Sequence, residues 1–286
     1  MASVASPSVV LRAPWRPAML KRVASALVLL PVFLLIVVKA PGWMFNTLVI
    51  VASAMALREL TRLFEQGGRP VQSGLAVVAG TAVTATFGAS RLIDPLILPA
   101  LAVVLAVGAV LIAPVVRGAP GTEAAANTLL TIMYVGWLLG YGILLHHTSP
   151  LGDELVLFVV GVTWVGETAA YLVGSAVGRH KLAPVISPRK TVEGAFAQIV
   201  ASVATGAALA GWLLPACGAG IGVAGGALLG VVGQFGDLAE SAIKRSAGTK
   251  DTGGLIPGHG GVLDRIDSLL FNLPAFYYFS WMTSCR

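Results

Sequence analysis

From about residue 20 onward, long apolar blocks alternate with short polar breaks, and the two-residue alternation of a half-buried strand is absent. Each block is close to the roughly 20 helical residues needed to cross about 30 Å of hydrocarbon. The pattern predicts helices over 20–39, 43–64, 73–91, 95–116, 127–147, 154–178, 191–214, 218–243 and 262–284. Pro41-Gly42, Gly67-Gly68 with Pro70, Pro95, and Pro150 with Gly152 fall at breaks between blocks, where such residues end helices. Hydrocarbon offers no water to bond free backbone groups, and a helix satisfies them within itself. The expected fold class is therefore all-α: a polytopic integral membrane helical bundle with about nine transmembrane helices. Residues 1–18 read as a cytoplasmic tail, and 19–286 as one transmembrane domain.

Composition strengthens this picture. Of 286 residues, 56% are hydrophobic and 11% charged, against about 25% charged in a soluble domain. The net charge of +6 does not indicate nucleic-acid binding, because the basic residues sit at the ends of apolar blocks as topology signals. Arg12, Arg16, Lys21 and Arg22 precede the first block, which is longer than a signal peptide core and reads as a retained helix. With nine spans, Arg58, Arg62, Arg69, Arg117, Arg179, Lys181, Arg189, Lys190, Lys244, Arg245, Lys250 and Arg265 share the side of the N-terminal tail. Among 19 Lys and Arg residues, only Lys39, Arg91 and Arg286 fall opposite. Positive-inside bias then puts the N-terminus in the cytoplasm and the C-terminus outside, as for a multi-pass protein of the cell (inner) membrane. A span wrongly added or missed would scramble this asymmetry.

Cys217 and Cys285 lie far apart without metal-type spacing, and are expected to be incidental membrane residues. His146 and His147 are expected at the outer interface without a metal role, and Trp43, Trp137, Trp212 and Trp281 in interfacial belts or packing.

Two stretches on the cytoplasmic side carry most of the polar chemistry, RHKLAPVISPRKTVEG at 179–194 and DLAESAIKRSAGTKDTGGLIPGHGGVLDRID at 237–267. The second holds Asp237, Glu240, Asp251, Asp264 and Asp267 among Lys244, Arg245, Lys250, His259 and Arg265. Asp237 lies late in an apolar helix, where a carboxylate is costly without a partner or a wet cavity. Asp237, Ser241 and Lys244 share a helical face, and Asp264 and Asp267 are three apart at the start of the last helix. Carboxylates from two helices beside cations suit a magnesium–polyphosphate site, since magnesium takes a few carboxylates and leaves room for phosphate and water. Gly253, Gly254, Gly258, Gly260 and Gly261 let bare N–H groups approach phosphate. In the first stretch Pro188 pins Ser187 in an extended or turn geometry. Thr191 or Ser187 then caps the next helix.

The run Ser241-x-x-Lys244-Arg245, Lys250-Asp251, Pro257-Gly258-His259-Gly260-Gly261 and Asp264-Arg265-x-Asp267 resembles the signature of the phosphatidate cytidylyltransferase (CDP-diacylglycerol synthase) family. Gly236-Asp237-Leu238, Ser268, Ala170-Tyr171, Gly174 and Ser187-Pro188-x-Lys190-Thr191-x-Glu193-Gly194 extend the likeness. It covers about the last 130 residues strongly, and the catalytic region is expected over 161–268. Glu167 stands where the family more often has aspartate. It reads equally as a cation ligand or as a structural acid bonded to Trp164 or Tyr171.

The resemblance implies CTP-dependent cytidylyl transfer to phosphatidic acid, with CDP-diacylglycerol and pyrophosphate as products. The expected catalytic set is Asp237, Lys244, Arg245, Lys250, Asp251, His259, Asp264, Arg265 and Asp267. Ser187, Lys190, Ser241, Gly260 and Gly261 are expected to bind substrate. Mg2+, with room for a second cation, is expected on Asp237 and Asp264, with Asp251, Asp267 and Glu167 as further candidate ligands. The partners implied are CTP, phosphatidic acid and membrane lipid, and a second copy in a homodimer. A CTP-dependent lipid kinase is the nearest rival. A secondary transporter using Glu167 and Asp237 explains the spans but not the polar density of 237–267.

Overall fold

A computed structural model describes residues 27, 30–89, 94–118, 121–249 and 261–285. Among these, a helix occupies part or most of every stretch that the apolar pattern marks. They are α1 (30–38), α2 (Gly42–Gln66), α3 (Ser73–Thr86), α4 (Ile97–Val116), α5 (Thr122–His146), α6 (Gly152–Val177), α7 (Val192–Leu213), α8 (Ala219–Ser246) and α9 (Leu263–Met282). Five of them, α4 to α8, are long and apolar enough to cross a membrane by length and composition. The chain is an all-α polytopic membrane protein. The exception to helix among the described residues is a small antiparallel hairpin, β1 (Lys181–Ala183) with β2 (Ser187–Thr191).

Each helix is built for the neighbours it meets. On α2 the buried positions Phe45, Val49, Ser53, Ala56, Leu57, Leu60, Leu63 and Phe64 recur every three or four residues, forming one stripe against α3 and α5. On α7 the buried residues are Gly194, Gln198, Ser202, Gly206 and Ala210, one at every fourth position. This small-residue stripe lets helices approach closely without a hydrophobic drive between them. It makes α6–α7 and α7–α8 the most extensive contacts, followed by α8–α9. At Gly206 a Cβ would run into the carbonyl oxygen of Gly222, so only glycine permits this approach. By contrast Val104, Leu105, Ile112, Val115 and Val116 of α4 are exposed, as lipid-facing residues are.

Several polar groups buried inside the bundle pair with one another, which offsets the cost of burial in a low-dielectric interior. The Ser53 and Thr84 hydroxyls lie 2.7 Å apart, and Asn272 Nδ2 donates to Thr163 Oγ1 at 2.8 Å. α5 carries a π-helical stretch, Ile132–Trp137, whose Trp137 packs edge-on against Phe87. Trp43, Trp212 and Trp281 are exposed.

One expectation needs correction. Cys217 and Cys285 are not incidental: they form a disulfide with Cα atoms 5.3 Å apart. Spacing along the chain hides this, because the turn before α8 and the end of α9 meet only after both helices have crossed. His146 lies at the end of α5. It is buried, stacks on Phe45 with ring centroids 4.2 Å apart, and its Nε2 lies 3.2 Å from Asp153 Oδ1. The short turn between α5 and α6 brings Asp153 back onto the end of α5.

Candidate active site

The hairpin runs directly into α7, and the start of that helix positions it. Thr191 has extended backbone and its Oγ1 accepts the Gly194 N–H at 3.2 Å, so Thr191 rather than Ser187 caps α7. Ser187 and Lys190 therefore lie on a strand that ends at the helix start. Lys190 reaches across to α8, where its Nζ lies 2.7 Å from Asp237 Oδ2. The two polar stretches, remote in sequence, thus meet through one ion pair.

A cavity of about 620 Å³ opens between α6, α7, α8 and the hairpin, walled in part by Glu167, Lys181, Arg189, Lys190, Gln198 and Asp237. Glu167 and Asp237 line the same space from different helices. Deeper in, one carboxylate oxygen each from Asp237, Glu240 and Asp267 lies within 4.8 Å of the others. This convergence depends on a close approach of α8 to α9. At Gly236 a Cβ would sit 2.8 Å from the Asp267 carbonyl oxygen and 3.0 Å from Ser268 Cα.

Lys244 ties this group together. Its Nζ donates to Glu240 Oε2 at 2.7 Å and to Asp264 Oδ1 at 2.9 Å. The second Asp264 oxygen accepts the Gly261 N–H at 3.1 Å. Asp264 is thus joined to a lysine and a backbone donor, while Asp237, Glu240 and Asp267 form the three-carboxylate group found among the described residues. Ser241 Oγ is 3.5 Å from Asp237 Oδ1. Arg245 is turned toward the backbone, donating to the carbonyls of Ile186 and Thr249 at 3.1 and 3.2 Å, so it braces the hairpin against α8. Arg265 is exposed at the α9 start. Lys250, Asp251, His259 and Gly260 lie outside the described residues.

Glu240 is visible in the sequence, but pattern alone assigns it no role. Its signal is its place three residues after Asp237, which puts both carboxylates on nearly one face of α8. Its Oε1 is buried without a hydrogen-bond partner among the described residues. A buried carboxylate oxygen left open beside two more carboxylates fits a divalent cation, whose ligands are hard oxygens. Gln234, which lines the same cavity and donates to the Ala195 carbonyl at 3.0 Å, likewise escapes a reading of the sequence.

Known proteins share this arrangement of sequence. Residues 20–283 match the model of a family described as the cytidylyltransferase family. A protein of Staphylococcus saprophyticus named phosphatidate cytidylyltransferase is 41% identical over 158 residues, which is 52% of this chain and 56% of that protein. One of the same name from Staphylococcus aureus is 39% identical over 158 residues, with the same shares. The uncharacterized protein YnbB of Escherichia coli is 40% identical over 153 residues, 53% of this chain and 50% of that protein. The chain spans about half the length of these curated relatives that it matches.

Proposed function

The chain belongs to the cytidylyltransferase family, and from that premise we propose that it transfers the cytidylyl group of CTP to phosphatidic acid, forming CDP-diacylglycerol and pyrophosphate. The observation that carries the reading is the Lys190–Asp237 pair at the cavity wall. It sets a phosphate-binding cation from the hairpin beside the carboxylates of α8 and α9.

In this reading an oxygen of the lipid phosphate attacks the α-phosphorus of CTP, and the bond to the β-phosphate breaks as pyrophosphate departs. The lipid phosphate is already ionised near neutral pH, so positioning and charge stabilisation supply the catalysis. Asp237, Glu240 and Asp267 are the residues that would hold magnesium, with Asp264 and Glu167 adjacent. The ion would offset the charge that develops on the triphosphate. Lys190 exchanges its Asp237 partner for a phosphate oxygen. Lys181 and Arg189 on the cavity wall add positive charge for the polyphosphate, and Lys244 keeps Glu240 and Asp264 from repelling one another. Arg245 holds the hairpin against α8 rather than touching substrate.

The site faces the cytoplasm, where CTP is made, with phosphatidic acid presented by the inner leaflet. Two independent features support that orientation: the basic residues cluster at this end of the bundle, and the disulfide joins helix ends at the opposite one, where an oxidising compartment is expected.

The test is purified protein with phosphatidic acid, magnesium and CTP labelled either in the cytidine or at the γ-phosphate. Cytidine label moving into the organic phase, with pyrophosphate released, is the expected result. Lipid labelled only from the γ-phosphate would establish a kinase instead.

A further inference from the structure

Glu59 of α2 is distant in sequence from both polar stretches, yet it is 2% exposed and grips the catalytic end of α9. Its Oε1 accepts the Val262 N–H at 2.9 Å and its Oε2 accepts the Leu263 N–H at 2.8 Å. These are donors from the start of a helix, which have no partner within the helix itself. A carboxylate there is favoured by charge-assisted bonding and by the helix dipole. The next donor back, Gly261 N–H, goes to Asp264. Hence the α9 start is fixed by one carboxylate of its own and one from α2, immediately ahead of Asp264 and Asp267.

The turn that follows α2 meets the end of α8. Gly67, just past the α2 end, lies so close to Ala247 that a Cβ would be 2.6 Å from the Ala247 carbonyl oxygen. Arg69 Nη2 donates to the Ser246 carbonyl at 3.4 Å. The start of α9 and the end of α8, which carry the candidate cation-binding carboxylates, are therefore held by α2 and by the turn that follows it.

We propose that Glu59 is a positioning residue. Its bidentate grip on the Val262 and Leu263 amides sets the orientation of the α9 start, and so the placing of Asp264 and Asp267 relative to Asp237 and Glu240. The catalytic part of this inference rests on the function proposed above; the structural part does not. Glu59→Gln keeps the shape of the side chain but replaces one acceptor with a donor that faces an N–H group. A packing role tolerates that change, whereas a positioning role does not.

Two measurements are made on the full chain in detergent. Hydrogen exchange without magnesium or substrate follows the amides of 261–268, and is expected to be roughly ten- to hundredfold faster in E59Q. Magnesium titration of cytidylyl transfer is expected to need about ten- to hundredfold more ion for half-maximal rate. Glu59→Asp, which keeps the charge, should recover part of both. If E59Q does not fold, Val262→Pro takes its place, since it deletes one donor at a φ of −65° that proline accepts; faster exchange at Leu263 and a raised magnesium requirement are then expected. Unchanged exchange, or faster exchange with wild-type magnesium dependence, overturns the proposal. A wild-type protein that forms no cytidine-containing lipid defeats the proposed function instead. In that case the exchange result, with a magnesium-dependent thermal shift of wild type and E59Q in place of the titration, still decides the role of Glu59.

Discussion

Lys244 shows how much one side chain controls here. It is mostly buried between Glu240 and Asp264, and its ammonium bonds to both carboxylates. Lys244→Met leaves two neighbouring carboxylates without their shared cation. Removing one partner of a buried pair typically costs about 3–5 kcal/mol, so thermal unfolding in detergent should show a large drop in stability, eased by added magnesium. Glu240→Gln is expected to act differently, because the lysine keeps Asp264 as a partner. It should leave the protein folded but lower cytidylyl transfer at least about tenfold at fixed magnesium, with partial recovery as magnesium rises. Wild-type kinetics in E240Q would remove Glu240 from the cation site. Chelation with EDTA should abolish transfer, and magnesium should restore it.

At the scale of elements, the close approach of α8 to α9 is what turns dispersed carboxylates into a group. Gly236→Ala forces a methyl group against the Asp267 carbonyl and Ser268 Cα. Such overpacking costs about 1–3 kcal/mol, and activity should fall more than stability does, because the displaced backbone carries Asp237 and Asp267. A Gly236→Ala variant with full activity would mean that this helix spacing does not set the site. The helices themselves are legible in the sequence, since blocks of about 20 apolar residues leave few alternatives. The geometry at Pro188 is legible too, and Ser187–Thr191 is extended. What pattern does not supply is pairing between elements: Lys190 with Asp237, Cys217 with Cys285, and Glu59 with the start of α9. Periodicity names the face of a helix but not the neighbour that the face meets. Glu59, an acid between Arg58 and Arg62 in α2, carries no local sign of its remote partner. The contact of Arg245 with the Ile186 carbonyl is hidden for the same reason, since the two residues lie 59 apart.

For the whole molecule, orientation is the property on which substrate access depends, and it follows from which helix ends share a face. Arg69 reaches Ser246, and Arg245 reaches Ile186, so the α2–α3 turn, the hairpin and the end of α8 lie together. Phe45 stacks on His146, which places the start of α2 beside the α5–α6 turn at the other end. An impermeant maleimide applied to spheroplasts can read this directly, in a background with Cys217→Ser and Cys285→Ser. A single cysteine at Ser149, in the exposed α5–α6 turn, should be labelled without lysis. One at Arg179, exposed just before the hairpin, should be labelled only after the membrane is opened. The reverse pattern would put the cavity outside, away from CTP, and labelling of both positions or of neither in intact spheroplasts would contradict the bundle's two-faced arrangement. The native disulfide offers a check without engineering. Protein denatured in maleimide should take up label at Cys217 and Cys285 only after reduction, because the proposed orientation turns the end of the bundle that carries them to the oxidising side.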